Sequence, residues 1–134
     1  MRNVLFTPPS DEKIKSGEKT MTARFWRQNP PSLSEIFTAS TGRKKETRFA
    51  ELKIVGAYIW NPMKDSARDI EQRIGYSLGE IAEREGFDRW EDFVNAYVSL
   101  NQHHDLDDPE RKHYLIEFEV VRLINDEDQQ ELLF

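Results

Sequence analysis

The 134-residue chain contains no cysteine. Disulfides and thiolate metal centres are therefore excluded, and a reducing compartment is compatible with that composition. No apolar run approaches the ~18 residues of a membrane span, and the N-terminal residues lack a signal-peptide apolar region. The expectation is a cytoplasmic protein without membrane contact. Positive charge is also short: 19 Lys and Arg stand against 25 Asp and Glu, a net charge of -6. A chain that gripped long nucleic acid with its whole surface would be basic. The acidity is uneven, however. Residues 13–53 are rich in Lys and Arg, and most of the excess acid lies from Asp65 onward. A small basic mouth on an acidic body suits one nucleoside or a short single strand of RNA.

What the chain does have is 37% hydrophobic and 11% aromatic residues, enough for one modest core. Residues 1–124 read as a single domain and residues 125–134 as an acidic C-terminal tail. Asn3 to Phe6 is a short apolar run suited to a first strand. Thr7 reads as a helix N-cap with Pro8 at the first helical position, and Gly17 as the stop of that short helix. Asn29-Pro30-Pro31-Ser32 is a loop. Ile36 to Ala39 and Thr47 to Trp60 form a hairpin with Gly42 in the turn. Within its second strand the apolar parity changes near Gly56, as a β-bulge produces. Helices start at Ser66 and at Ser77, the latter with Glu80 as a capping box, and Gly86 stops the second. Asp88 opens a third, with an apolar stripe of Trp90, Phe93, Val94, Tyr97 and Val98. Tyr114, Ile116, Phe118 and Val120 alternate with Glu117 and Glu119 as a last strand. Too few strands alternate with helices for a doubly wound sheet. The pattern predicts an α+β fold, with a small, strongly bent or closed β-sheet and helices at one end.

The stretch from Ser16 to Trp26 organises this pattern. Met21, Ala23 and Phe25 fall on one strand face, Thr20, Thr22 and Arg24 on the other. Lys19 immediately precedes them. An apolar face that packs inward, opposite two hydroxyls and two cations, describes a pocket that polarises a carbonyl or receives an anion. Lys19 and Thr22 are three apart, so a regular strand would separate them. They converge only if Lys19 lies in the turn before the ladder or a bulge intervenes.

Phe6-Thr-Pro-Pro9, followed by Ile14-Lys-Ser-Gly-Glu-Lys-Thr-Met-Thr-Ala-Arg24, resembles the ASCH domain, a PUA-like small β-barrel with flanking helices. Gly17, Lys19 and Arg24 fill the family's Gly-x-Lys-x-x-x-x-Arg pattern. Arg48-Phe-Ala-Glu-Leu52, Glu83-Arg-Glu-Gly-Phe-Asp-Arg-Trp-Glu-Asp-Phe93 and the strand Tyr114 to Phe118 extend the resemblance over about residues 3–124. Thr22 stands where many relatives carry Glu, as it does in small bacterial members that hydrolyse N4-acetylcytidine. By that resemblance the chain is an amidohydrolase of an acylated nucleoside, working without metal or other cofactor. Lys19, Thr22 and Glu91 are then the catalytic set, with Glu80 the alternative carboxylate. Arg24, Thr20 and Trp26 are substrate-binding candidates. The chain departs from that branch in a longer Arg27 to Thr47 segment and a longer Gln102 to Lys112 loop.

In such chemistry Thr22 is the nucleophile, Lys19 the base that activates it, and Glu91 a proton shuttle or a holder of the substrate amine. Arg24 orients the carboxylate or binds an oxyanion. Strand preference alone also accounts for Thr22, and a capping box opened by Asp88 also accounts for Glu91. Two other functions share the resemblance: a non-catalytic RNA-binding module and a ribonuclease. For these, Arg43, Lys44, Lys45 and Arg48, with Trp26 and Trp60, would form a basic stacking mouth. His103, His104 and His113 with Asp105 lack helical metal spacing and read as loop, so no metal site is expected. Finally, the tail Gln130-Glu-Leu-Leu-Phe134 resembles the short peptide by which bacterial replication proteins enter the sliding clamp, through Gln130, Leu133 and Phe134. Packing of this tail on its own domain is the competing reading.

Overall fold

A computed structural model describes residues 2–26 and 32–124. In chain order it contains β1 (Asn3–Leu5), α1 (Ser10–Ser16), β2 (Met21–Trp26), β3 (Ile36–Ser40), β4 (Arg48–Trp60), α2 (Ala67–Ile74), α3 (Leu78–Arg84), α4 (Trp90–Leu100) and β5 (Lys112–Leu123). The five strands form one sheet in the order β1-β3-β4-β5-β2. β1 runs parallel to β3 and every other pairing is antiparallel. The sheet curls into a half-barrel with the helices beside it, an α+β architecture. The bend expected at Gly56 is present as a register shift between Ile54 and Gly56 in the β4–β5 ladder. Residues 125–134, with the clamp-like tail, lie outside the described residues.

β5 supplies side chains to both faces of the sheet. Tyr114, Ile116 and Phe118 enter a cluster with Phe6, Ile14, Phe37 and Leu52. Leu115 enters a second cluster with Met21, Phe25, Trp60, Ile70, Ile81, Phe93 and Tyr97, built against the helices. Paired residues of an antiparallel ladder share a face. Thr22 opposite Ile116 and Arg24 opposite Tyr114 therefore face the first cluster, whereas Ala23 opposite Leu115 faces the second. β2 pairs only with β5, so its other edge is free among the described residues.

Helix ends depart from the sequence expectation in instructive ways. α1 begins at Ser10, because each residue before a proline is biased out of the helical region and Thr7-Pro8-Pro9 contains two such positions. The carbonyl of Thr7 instead accepts from the Ser10 N–H across a turn. The reciprocal capping box closes at Ser66 and Asp69, while Ser77 accepts from the Glu80 N–H without a return bond. The Asp88 box does not form: α4 is preceded by Arg89, with no side-chain cap.

The end of α3 matters most. Gly86, at φ +91°, lets its own N–H reach the Glu83 carbonyl and the Phe87 N–H reach the Ala82 carbonyl. That pair of bonds is a Schellman motif. A Cβ on Gly86 would lie 3.1 Å from the Cδ of Lys13. Gly86→Ala should therefore destabilise the fold by about 1–2 kcal/mol, the cost of a left-handed L-residue. Urea unfolding checks this, and an unchanged midpoint would remove the motif from the account.

Candidate active site

Segment 13–20 is stitched to the end of α3 by consecutive carbonyls. The Thr20 N–H donates to Arg84 O at 2.7 Å, Lys19 Nζ to Glu85 O at 2.7 Å, and Lys13 Nζ to Gly86 O at 2.7 Å. A helix C-terminus leaves carbonyls unsatisfied and carries partial negative charge, so amide and ammonium donors belong there. Lys19 Nζ also donates to the Glu85 carboxylate, Oε2, at 3.0 Å. Lys19 is only 6% exposed and Glu85 3%. Burial pushes the Glu85 carboxyl above its ordinary range, and the Lys19 charge opposes that shift. Its second oxygen, Oε1, is buried and has no hydrogen-bond partner among the described residues.

The pair opens on a cavity of about 170 Å³ beside the free edge of β2. Thr22, Ala23 and Arg24 all line it, which successive strand residues can do from the edge but not from one face. Leu5 to Thr7 and Ser10 form one wall; Glu85, Phe87, Phe93 and Tyr97 contribute to the other. The cavity thus has an apolar side and a polar corner of Lys19, Thr22, Arg24 and Glu85. Lys19 precedes the first residue of β2, so the ladder's alternation does not bind it, and it shares the cavity with Thr22. The convergence expected from a turn position is thereby met.

Arg24 is fixed from three sides. Its Nε donates to Thr22 Oγ1 at 3.3 Å, its Nη2 to Leu5 O at 2.8 Å, and its guanidinium lies 4.7 Å from the Phe6 ring centroid. Burial lowers its pKa to about 10, partly offset by Glu85 and Tyr97, so it stays charged at neutral pH. Behind the cavity, the Tyr97 hydroxyl lies 2.7 Å from His113 Nδ1, and His113 Nε2 lies 2.7 Å from Leu106 O. A carbonyl only accepts, so Nε2 carries the proton and Nδ1 accepts from Tyr97. Burial raises the Tyr97 pKa and lowers that of His113, which keeps the pair neutral.

Not every candidate reaches this place. Glu91 is on the exposed start of α4, its carboxylate 3.6 Å from Arg89 Nε, and does not line the cavity. Glu80 lines a separate groove with Glu18, Thr20 and Glu83. Trp26 packs on the first cluster with its ring centroid 6.0 Å from Tyr114. Arg43, Lys44 and Lys45 are exposed in the β3–β4 connection, and Arg48 is half-buried at the start of β4. Trp60 is buried in the second cluster, so it offers no stacking surface beside them. His104 bonds to Arg111 at 2.9 Å while His113 is held in the core. No group of three or more His, Cys, Asp or Glu is arranged to hold a metal among the described residues.

Sequence reasoning missed Glu85 as the carboxylate of the cavity. A signal was present: residues 78, 81, 82 and 85 share one helical face, so Glu85 continues the apolar stripe of Leu78, Ile81 and Ala82. A carboxylate on a buried stripe needs a partner, and Lys19 is that partner.

No protein-family model matches the chain, and neither does any curated protein. Solved structures do. Protein EF3133 of Enterococcus faecalis, of the family model DUF984, superimposes at TM-score 0.57 with 18% identity over 86% of this chain and 71% of its own. The hypothetical protein PH0355 gives TM-score 0.56 with 20% identity over 90% of this chain and all of its own (100%). An ASCH domain from Lactobacillus crispatus gives TM-score 0.57 with 13% identity over 90% of this chain and 79% of its own. The chain has an ASCH-type fold.

His113 makes the site's stability sensitive to acid. The fold holds it neutral to lower pH than the unfolded chain, whose imidazole titrates near 6.5. Protons therefore favour the unfolded chain. This contribution is complete above about 6.5 and is lost as pH falls through the depressed folded value. The stability gap between wild type and His113→Asn should narrow from pH 7.5 to pH 5 in urea unfolding. A gap that widens on acidification would refute the neutral assignment.

Proposed function

We propose that the chain hydrolyses the amide of a small acylated nucleoside such as N4-acetylcytidine. The observation that carries this reading is the presence of Lys19, Thr22 and Glu85 on one cavity, with Glu85 Oε1 buried and without a partner among the described residues. Glu85 takes the role that the sequence pattern gave to Glu91. The cavity, about 170 Å³, is below the ~300–1,000 Å³ of pockets for drug-sized ligands, which suits a single small ring with its acyl group. The net charge of -6 also favours a small ligand over a long polyanion.

As the reaction begins, a proton passes along the 3.0 Å bond from Lys19 Nζ to Glu85 Oε2, since burial favours the neutral carboxyl. The neutral Lys19 amine takes the Thr22 proton as Oγ1 attacks the carbonyl carbon. Arg24, already bonded to Thr22, stabilises the charge developing on the carbonyl oxygen. The C–N bond breaks as the Glu85 carboxyl gives its proton to the leaving amine. Glu85, now a carboxylate, removes a proton from water, which attacks the threonyl ester. Lys19 returns its proton to the departing Thr22 oxygen, acetic acid leaves and ionises in solvent, and the shared proton passes back from Glu85 to Lys19, restoring every group.

A non-catalytic RNA-binding module is the second reading, favoured by the exposed Arg43, Lys44 and Lys45. Cytidine release from N4-acetylcytidine separates the two. Glu85→Gln and Thr22→Ala should each lower kcat/KM by about 100-fold or more, the range for loss of one acid–base or nucleophilic group. Glu91→Gln should stay within about twofold of wild type. No turnover by the wild-type protein, with salt-sensitive retention of single-stranded RNA, would replace hydrolysis by RNA binding.

A further inference from the structure

A second groove lies behind the first cavity, across the Tyr97–His113 pair. It has a volume of about 470 Å³ and is lined by the end of β4, the start of β5 and the loop that leads into β5. His113 is in its wall, while Tyr97, bonded to His113, lines the first cavity.

Two buried donors of this groove's residues lack an acceptor among the described residues. One is the indole N–H of Trp60, a side chain only 1% exposed; the other is Nε–H of Arg111. A buried N–H without an acceptor has given up its hydrogen bond to water with nothing in return. The packing around them is otherwise well satisfied. Arg111 lies 4.2 Å from the Phe25 ring centroid, and its two terminal nitrogens are spent on Phe25 O at 2.7 Å and His104 at 2.9 Å. Trp60 sits among Trp90, Phe93, Tyr97 and His113.

Charge around the groove favours an anion. Lys64, Arg73, Arg111 and Lys112 outnumber Asp65, Asp107 and Asp108. Asp65 is held by Arg73 at 2.9 Å and Asp107 faces Lys64 at 3.8 Å. Lys112 lines the groove and is exposed. An occupant must therefore present hydrogen-bond acceptors and negative charge. Another cation is disfavoured, and an apolar molecule would leave both donors bare.

We propose that this groove is a binding site for an oxyanion, a phosphate or carboxylate group, held by the Trp60 indole N–H and Arg111 Nε–H with Lys112 at its rim. The site is separate from the first cavity and shares with it the Tyr97–His113 wall.

The test uses the 15N-labelled full chain, with assigned indole and arginine Nε resonances. Inorganic phosphate and acetate are titrated in separate arms, against sodium chloride at matched ionic strength. The expected result is a saturable shift of the Trp60 indole and Arg111 Nε signals in at least one oxyanion arm. Trp26 and Trp90 should stay unmoved, and the arm that binds more tightly identifies the source as phosphate or carboxylate. Lys112→Gln, a surface change that leaves the core intact, should weaken that binding by about three- to tenfold. Equal shifts in chloride, or Trp60 and Arg111 signals that ignore both anions, would overturn the site. So would an affinity unchanged by Lys112→Gln. Hydrolysis of N4-acetylcytidine does not enter any of these outcomes.

Discussion

The Lys19 ammonium on the end of α3 is the contact on which the site depends. A single side chain bonds both the main-chain carbonyl and the carboxylate of Glu85. Around it, Thr20 and Lys13 hold the carbonyls on either side. A helix terminus would ordinarily turn these carbonyls toward water. Here they face donors from the segment that becomes β2. The turn before the strand and the turn after the helix thereby become one structural unit, and the free edge of β2 is placed against α4. Without that stitch, the sheet's own ladder, which does not include Glu85, would not hold it beside Thr22.

Burying such a pair is not an efficient route to stability. Desolvation of two charges offsets much of their attraction, and apolar replacements of the same shape are often as stable or more so. Under the hydrolysis proposed above, the pair serves chemistry instead. It fixes a carboxyl group in an apolar wall, raises its proton affinity, and leaves Oε1 without a partner among the described residues. A perturbed carboxyl facing a cavity is a functional-site candidate. Arg24 belongs to the same logic: bonds to Thr22 and Leu5 hold its guanidinium in place before any ligand arrives.

Much of the fold was legible because it rests on local physics. Gly17, Gly86 and the Ser66 start act through backbone conformation and capping within a few residues. The alternation of Tyr114, Ile116 and Phe118 reports a strand whatever it pairs with. Lys19, Thr22 and Arg24, which line one cavity, were singled out through the resemblance of their short segment, since strand alternation alone also fits an ordinary exposed face. The carboxylate was not. Glu91 follows Asp88 at capping-box spacing, yet α4 starts at Trp90 with Arg89 before it, and Glu91 is left in solvent. Glu85 owes its place to a contact 66 residues away in sequence, which no local rule reads. Only its position on the buried stripe of α3 hinted at it. Trp60 was unreadable for a similar reason, since the long-range second cluster takes it into the core and away from the basic β3–β4 connection.

The curl of the sheet explains why two cavities can sit so close without merging. β5 is buried on both faces from His113 to Ile116, so adjacent residues on it serve opposite sides. Phe25 and His113 are register partners on the helix side, and their rings stack at 4.1 Å and 4°. Arg24 and Tyr114, one step along, share the other side. A one-residue slip of β2 against β5 would exchange these sets, carrying Arg24 into the aromatic cluster and Phe25 into the polar corner. The burial of Phe25 and Met21 on one side thus fixes where Thr22 and Arg24 point on the other. The hydrophobic pattern of the strand and the placement of its polar chemistry are two readings of the same register.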